Sequence, residues 1–192
     1  MMRIAQLHVQ IDRVKQGVKP RRWYDPANIR PVDAVRITRD GVIGLTNVGE
    51  VLDVHHVEHP RTRNRKRLNG VSVMSTRDYE RLRARFGARL TDGLAGETVL
   101  IDCADEFARA DLHGTFVVDA PSGDPLQLAI YGPIKPCYEF SRYCLGLDRD
   151  APIDDEVRAA FAFLEDGGRG YYLVPKNEGV AVRGARVELV RS

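Results

Sequence analysis

Two alternating segments facing each other across a tight turn constrain this chain most. "HGTFVVDAPSGDPLQLAIYG" reads as two strands around Pro121-Ser122-Gly123-Asp124, a strong hairpin signal. Other short strands follow at fairly regular spacing. "IAQLHVQI" puts Leu7, Val9 and Ile11 at period two, and "VDAVRIT" with "RDGVIGL" reads as strand, turn, strand. "NGVSVM", "GETVLIDC", "GYYLVP" and "ARVELV" complete the set, the last two joined by "KNEGVAVRG". Two helices interrupt it. "STRDYERLRARFG" carries Ser75 or Thr76 as cap, a Tyr79, Leu82, Phe86 stripe and Gly87 as stop. "IDDEVRAAFAFLEDGG" carries Asp154 as cap, with Val157, Ala160, Phe161 and Leu164 on one face. The expectation is a mainly β fold with two or three short helices, its sheet closed or partly closed into a barrel that removes exposed edges. Nothing reads as a βαβ array, and 192 residues predict one domain over 1–192.

Composition excludes several classes. No run of about 18 apolar residues occurs, so no membrane helix is predicted. "MMRIAQLHVQIDRVKQ" meets charge too early for a secretory h-region. Three cysteines, Cys103, Cys137 and Cys144, cannot all pair within the chain, which favours a reducing compartment and a cytoplasmic protein. A net charge of +2 does not by itself imply nucleic acid.

Chemistry concentrates around "IYGPIKPCYEF". Cys137 follows a proline at the end of an alternating stretch. Lys135 lies two residues before it, so an extended chain puts both on one face. Pro136 restricts Lys135 to extended geometry. Cations such as Lys135 and Arg142 favour the thiolate, the form that attacks sulfur or binds a soft metal, whereas Glu139 opposes it. A buried apolar cysteine at a strand end is the other reading. Cys144 is open to a resolving or a structural role.

Three more constellations stand out. "LDVHHVEH" offers Asp53, His55, His56, Glu58 and His59, in a spacing that matches no established zinc pattern. These residues read as a hydrogen-bonded polar loop or as acid, base and substrate contacts at a pocket mouth. "RTRNRKR" places Arg61, Arg63, Arg65 and Arg67 at period two, so an extended segment presents four guanidinium groups to a phosphate or carboxylate ligand. "DGLAGETV" lacks the Gly-Lys-Ser/Thr of a phosphate loop, and Gly96 lets Glu97 open a strand.

Taken in order, "PVDAVRITRDGVIGL", Asp53 to His56, "NGVSVMS", "GLAGETVLID", "LAIYGPIKPCYEF" and "GGRGYYLVPKNEGVAVRGARVELV" resemble the MOSC domain. That is the C-terminal domain of molybdenum cofactor sulfurases, which also occurs as a stand-alone protein. The likeness spans essentially the whole chain. "TNVGEVLDVHHVEHP" departs from the family's small-residue run, so either His55 or His56 can be the pocket histidine. The resemblance implies a β-barrel with a pocket cysteine, matched by Cys137. It implies a sulfur carrier that receives persulfide sulfur from a pyridoxal-phosphate cysteine desulfurase. In some relatives it implies a holder of the molybdenum cofactor that ligates molybdenum through the thiolate and reduces N-hydroxylated bases. Lys135 and Arg142 would then support the thiolate or an anionic ligand. Glu97, Asp53 and His55 or His56 would line the pocket, and Arg63 and Arg65 would meet the pterin phosphate. Pyridoxal phosphate belongs to the partner, and a reductase needs a separate electron-transfer protein, because three cysteines cannot furnish four cluster ligands.

Two other classes stay open. The Arg61 to Arg67 segment could serve a non-catalytic module for a phosphorylated ligand, RNA or a protein, although no aromatic residue is interleaved for nucleic acid. The Asp53, His55, His56 cluster could hold a hydrolytic metal.

Overall fold

The computed structural model describes residues 1–62, 64, 66–104, 107 and 112–191. Strand β1 (Met2–Gln10) leads to a ribbon of β2 (Lys15–Gln16) and β3 (Trp23–Tyr24), a 3-10 turn at Pro26–Asn28, and β4 (Ile29–Val32). A meander follows: β5 (Ala34–Thr38), β6 (Gly41–Thr46) and β7 (Gly49–Leu52). Next come β8 (Val71–Ser75), helix α1 (Thr76–Phe86) and β9 (Val99–Asp102). The hairpin β10 (Thr115–Val118) and β11 (Leu126–Pro133) precedes helices α2 (Tyr138–Leu145) and α3 (Asp155–Phe163). Strands β12 (Tyr171–Pro175), β13 (Gly179–Val182) and β14 (Arg186–Val190) follow.

Seven strands close a barrel in the order β14, β10, β11, β12, β8, β9, β1, with β1 returning to β14. The closing seam is short, pairing Met2 with Val187 and Arg3 with Arg186. Strand β4 extends the sheet from the far half of β1, and β13, β5, β6 and β7 form a second sheet. The mainly β expectation holds, and the closure removes the edges of the seven barrel strands.

Period-two alternation separates two cores. Val71 and Val73 of β8, with Val99 and Ile101 of β9, point into the barrel among Leu7, Phe116 and Leu173. Met74 and Leu100 point the other way, into a cluster with Tyr79, Leu82, Phe140 and Leu164 from the helical side. Both faces of β8 and β9 are therefore covered, as their parallel pairing requires. Ser75 caps α1 in a reciprocal box with Asp78, and Asp154 caps α3 through the Val157 N–H at 2.9 Å.

Four elements differ from the sequence expectation. Strands β7 and β13 lie in segments read as connections, because four residues apiece carry too little pattern. Helix α1 links β8 to β9 as one parallel crossover. Helix α2 starts directly after Cys137, so the cysteine sits at a helix N-terminus and not merely at a strand end. Cys137 makes no side-chain capping bond, so the usual Ser or Asp signal is missing. The left-handed Gly146 at the other end was the available cue.

Candidate functional site: a thiol beside a cation-lined cleft

The cysteine is positioned by its backbone. Strand β11 ends at Pro133, and the Ile134 N–H donates to Gly170 O at 2.9 Å, pinning the linker to the turn before β12. Gly170 has φ +85°, and a Cβ there would run into the Val73 carbonyl. Only glycine fits that crossing. Cys137 is extended, and its carbonyl accepts from Ser141 N at 3.0 Å and Ser141 Oγ at 3.1 Å. The first turn of α2 therefore presents its free N–H groups, and the positive end of its dipole, at the half-buried thiol.

A buried cation reinforces that field. Arg169 is only 8% exposed, and among the described residues it has no carboxylate within ion-pair distance. Its Nη1 donates to Ala95 O at 2.9 Å, its guanidinium lies 3.7 Å from the Phe140 ring centroid, and its Nε is buried without a partner. It interacts electrostatically with Cys137, Cys144, Tyr24 and Tyr79. A buried cation without an acidic partner is costly unless something anionic meets it. Cys144 is not that group. It is fully buried, and burial pushes its thiol up to about 12, although Arg169 and Arg89 pull the other way.

Glu97, at the entry to β9, lies in the same buried layer. Its Oε2 accepts from Tyr79 Oη at 2.8 Å, Tyr79 Oη in turn accepts from Ala95 N at 2.9 Å, and its Oε1 is buried without a partner. Burial pushes the carboxyl up to about 7, against the pull of its own backbone, the Tyr79 phenol and the Arg169 charge. Burial also raises Tyr24, whose phenol donates to Leu94 O at 2.7 Å, and Tyr79. This layer can hold a proton at neutral pH.

A cleft of about 510 Å³ opens next to the thiol, beneath residues 13–22. Its charged lining among the described residues is cationic, with Arg13, Lys15, Lys19, Arg22 and Arg61 and no carboxylate. Cys137 is not among its lining residues. Tyr172 lines the cleft and feels the charges of both Arg169 and Cys137, and Val14 packs in the cluster against which Cys137 rests. Arg22 grips Glu139 Oε1 through Nε at 2.8 Å and Nη2 at 2.5 Å. Burial opposes the Glu139 charge, but its own backbone, Arg22 and Lys15 outweigh it and hold the carboxyl below its ordinary range. The acid that the sequence sets against the thiol is thus neutralised from the cleft side.

No protein-family model matches the chain, and no curated protein matches it. Solved structures do. The YUAD protein of Bacillus subtilis superposes with a TM-score of 0.60 over 97% of this chain and 94% of its own, at 13% identity. YiiM from Geobacillus stearothermophilus gives 0.56 over 100% and 76%, at 16% identity. YiiM from Escherichia coli gives 0.52 over 85% and 65%, at 13% identity. The chain shares the fold of these proteins. At such identities the likeness carries the architecture and leaves the site to be read from its own geometry.

Within this frame the residues singled out in the sequence separate. Cys137 and Glu97 fall in the layer around Arg169. His55 lines the cleft, whereas His56 is buried away from its lining and uses Nδ1 to accept from the Glu58 N–H at 3.3 Å. The backbone of His56 passes so close to Gly41 that a Cβ there would come within 2.7 Å of its Cα. Asp53 is a latch. Its carboxylate accepts from Gln10 N at 2.6 Å, His55 N at 2.8 Å and His55 Nδ1 at 2.9 Å. Lys135 is exposed. Arg142, roughly 140° round α2 from Cys137, lines a different cavity with Trp23 and Asp148.

Of the arginine segment, the structure describes Arg61 and Arg67. Arg61 pairs with Asp12 at 2.5 Å and Arg67 with Asp40 at 2.6 Å, so these two are tied to separate acids. Arg63 and Arg65 lie outside the described residues. Among the described residues no three His, Cys, Asp or Glu side chains gather as a metal site. The sequence reading passed over Arg169 and Tyr172, although an arginine between Gly168 and Gly170, too small to cover it, was a visible cue.

The latch gives a direct test. Asp53→Ala strands two backbone N–H groups and frees His55, and should cost about 3 kcal/mol in urea denaturation. Asp53→Asn, which keeps an acceptor oxygen, should cost less than half of that.

Proposed function

We propose that the protein works through the Cys137 thiol on an anionic substrate, as a sulfur carrier or as a holder of the molybdenum cofactor. One observation carries the reading: Cys137 stands at a helix N-terminus beside a buried guanidinium without a carboxylate partner. Both features place positive potential beside Sγ, where an anionic substrate would be drawn.

For sulfur transfer the thiolate attacks the outer sulfur of a donor persulfide. The bond from Cys137 Sγ to that sulfur forms, the donor S–S bond breaks, and the donor leaves as a thiolate. One thiol and one persulfide enter and one of each leaves, so no oxidant or reductant is consumed. Arg169 offsets the charge while it moves from Sγ to the outer sulfur. The donor class is a pyridoxal-phosphate cysteine desulfurase.

The residues present also fit the molybdenum cofactor, since a thiolate is a soft donor and the neighbouring cleft is cationic. Bound there, that cofactor would supply oxygen-atom and electron transfer. Cys137 would hold the metal, Arg169 would offset its charge, and Glu97 would keep a proton in the adjoining layer. A reductase role would draw electrons from a separate protein. The reading as a binding module of Arg61 to Arg67 is weakened by the acids that already occupy Arg61 and Arg67.

The test begins with protein purified from a host that makes the molybdenum cofactor. Molybdenum and pterin are measured on it, and persulfide on Cys137 is measured by mass spectrometry after incubation with a cysteine desulfurase. One of the two signals should approach one per chain. Cys137→Ser should abolish that signal and leave the thermal midpoint unchanged. Retention of the signal by the serine variant would sink the reading.

A further inference from the structure

Helix α2 lines a second cavity, of about 540 Å³, with Glu139, Arg142 and Tyr143. These three stand at i, i+3 and i+4 and share one helix face. Such spacing favours an ion pair between Glu139 and Arg142, but Arg22 has already taken the carboxylate, through Nε at 2.8 Å and Nη2 at 2.5 Å. Arg142 is left with its Nε buried and without a partner. A second charge is left over in the same lining. Asp150 is shared by Arg21 and Arg149, each at 3.7 Å, whereas the exposed Asp148 takes neither. Among the described residues neither Arg142 nor Asp148 has an opposite charge within ion-pair distance, and they do not pair with each other. The walls between them are aromatic. The Tyr143 ring is held by Phe140 and Tyr24, with centroids at 6.1 Å and 5.2 Å. The Trp23 indole rests against Gly17, where a Cβ would come within 2.6 Å of Cζ3.

We propose that this cavity binds a free aromatic α-amino acid as its zwitterion, with the carboxylate on Arg142, the ammonium at Asp148 and the ring beside Trp23 and Tyr143. The guanidinium fork matches a carboxylate. Offset or edge-to-face contact with two aromatic walls selects a planar side chain. The lining carries three arginines and three carboxylates, so it does not attract multiply charged anions as the neighbouring cleft does. A ligand that is neutral overall, with one charge of each sign, meets both uncancelled groups at once. The volume lies within the roughly 300–1,000 Å³ of small-molecule sites. Arg142 lies round α2 from Cys137, so binding here is independent of the chemistry at the thiol.

The experiment titrates the full chain with L-phenylalanine. Trp23, the single tryptophan of the chain, reports binding by its fluorescence, and calorimetry gives the stoichiometry. The expected result is saturable one-to-one binding. 3-Phenylpropionate lacks the ammonium and L-phenylalaninamide lacks the carboxylate, and each should bind at least about tenfold more weakly. Glycine, without a ring, should give no saturable signal. Asp148→Asn should weaken L-phenylalanine about tenfold and leave 3-phenylpropionate unchanged. Arg142→Met should weaken both acids and leave the amide unchanged. Cys137→Ser should bind as the parent does. Absence of saturable L-phenylalanine binding overturns the assignment, as does parent-like binding by either Arg142→Met or Asp148→Asn. Tighter binding of 3-phenylpropionate than of L-phenylalanine also overturns it, because the ligand is then a simple anion.

Discussion

Arg169→Met will fold and will react with iodoacetate about ten times more slowly than the parent at Cys137, while its reaction with the neutral iodoacetamide changes much less. The contrast separates a field from a structural defect. Methionine fills a similar volume and keeps contact with Phe140, so loss of packing is small. What disappears is a buried cation that feels Cys137. A general loosening of the site would raise or lower both reagents together. Arg169→Lys keeps the charge but not the fork that reaches Ala95, and should restore most of the iodoacetate rate. An unchanged ratio of the two rates in Arg169→Met would show that the guanidinium serves only the fold.

Glu97→Gln will make the protein more stable at pH 8, by about 3 kcal/mol at most. The folded-state carboxyl titrates at about 7 against 4.5 ordinarily, with burial as the main cause. The folded protein therefore binds more protons than the unfolded chain between those values. Stability falls as pH rises from about 4.5 through 7, and the loss is complete above 7. A glutamine carries no charge to desolvate and keeps an oxygen for the Tyr79 phenol. Urea midpoints across pH 4 to 8 should decline for the parent and decline less for Glu97→Gln. Equal slopes would place the proton elsewhere.

The barrel was legible because alternation is local. Val71, Val73, Val99 and Ile101 announce their face within a few residues. Ser75, Gly87 and Asp154 mark helix ends by capping chemistry that needs no tertiary context. The site was less legible, because its electrostatics are made by contacts across the fold. Arg169 meets Phe140 and Ala95 through packing of distant segments. Asp53 looked like a ligand because its residue type suits one, yet its carboxylate is spent on Gln10 and His55. The stretch from Val14 to Pro31 carries glycine, three prolines and a basic run, which locally signal only a loop, and it takes the fold to turn Lys15, Lys19 and Arg22 over a cleft. Period-two spacing overstated the arginine run, since Arg61 and Arg67 are each tied to a separate acid.

The short seam between β1 and β14 has a kinetic meaning. It joins residues more than 180 positions apart, through only two residue pairs. Loop-closure entropy makes such a contact late and slow to form. It is also an early joint of the ring to open in native-state fluctuations, since beyond those pairs it is held by the bonds from Ile4 N to Ala185 O, from Gly184 N to Ile4 O and from Arg3 Nη1 to Gly184 O. Strands β11 and β12, which frame Cys137 and Arg169, stand across the ring from it. Amide exchange at the seam can therefore run fast while the amides around the thiol stay protected, and the barrel can breathe without disturbing its chemistry.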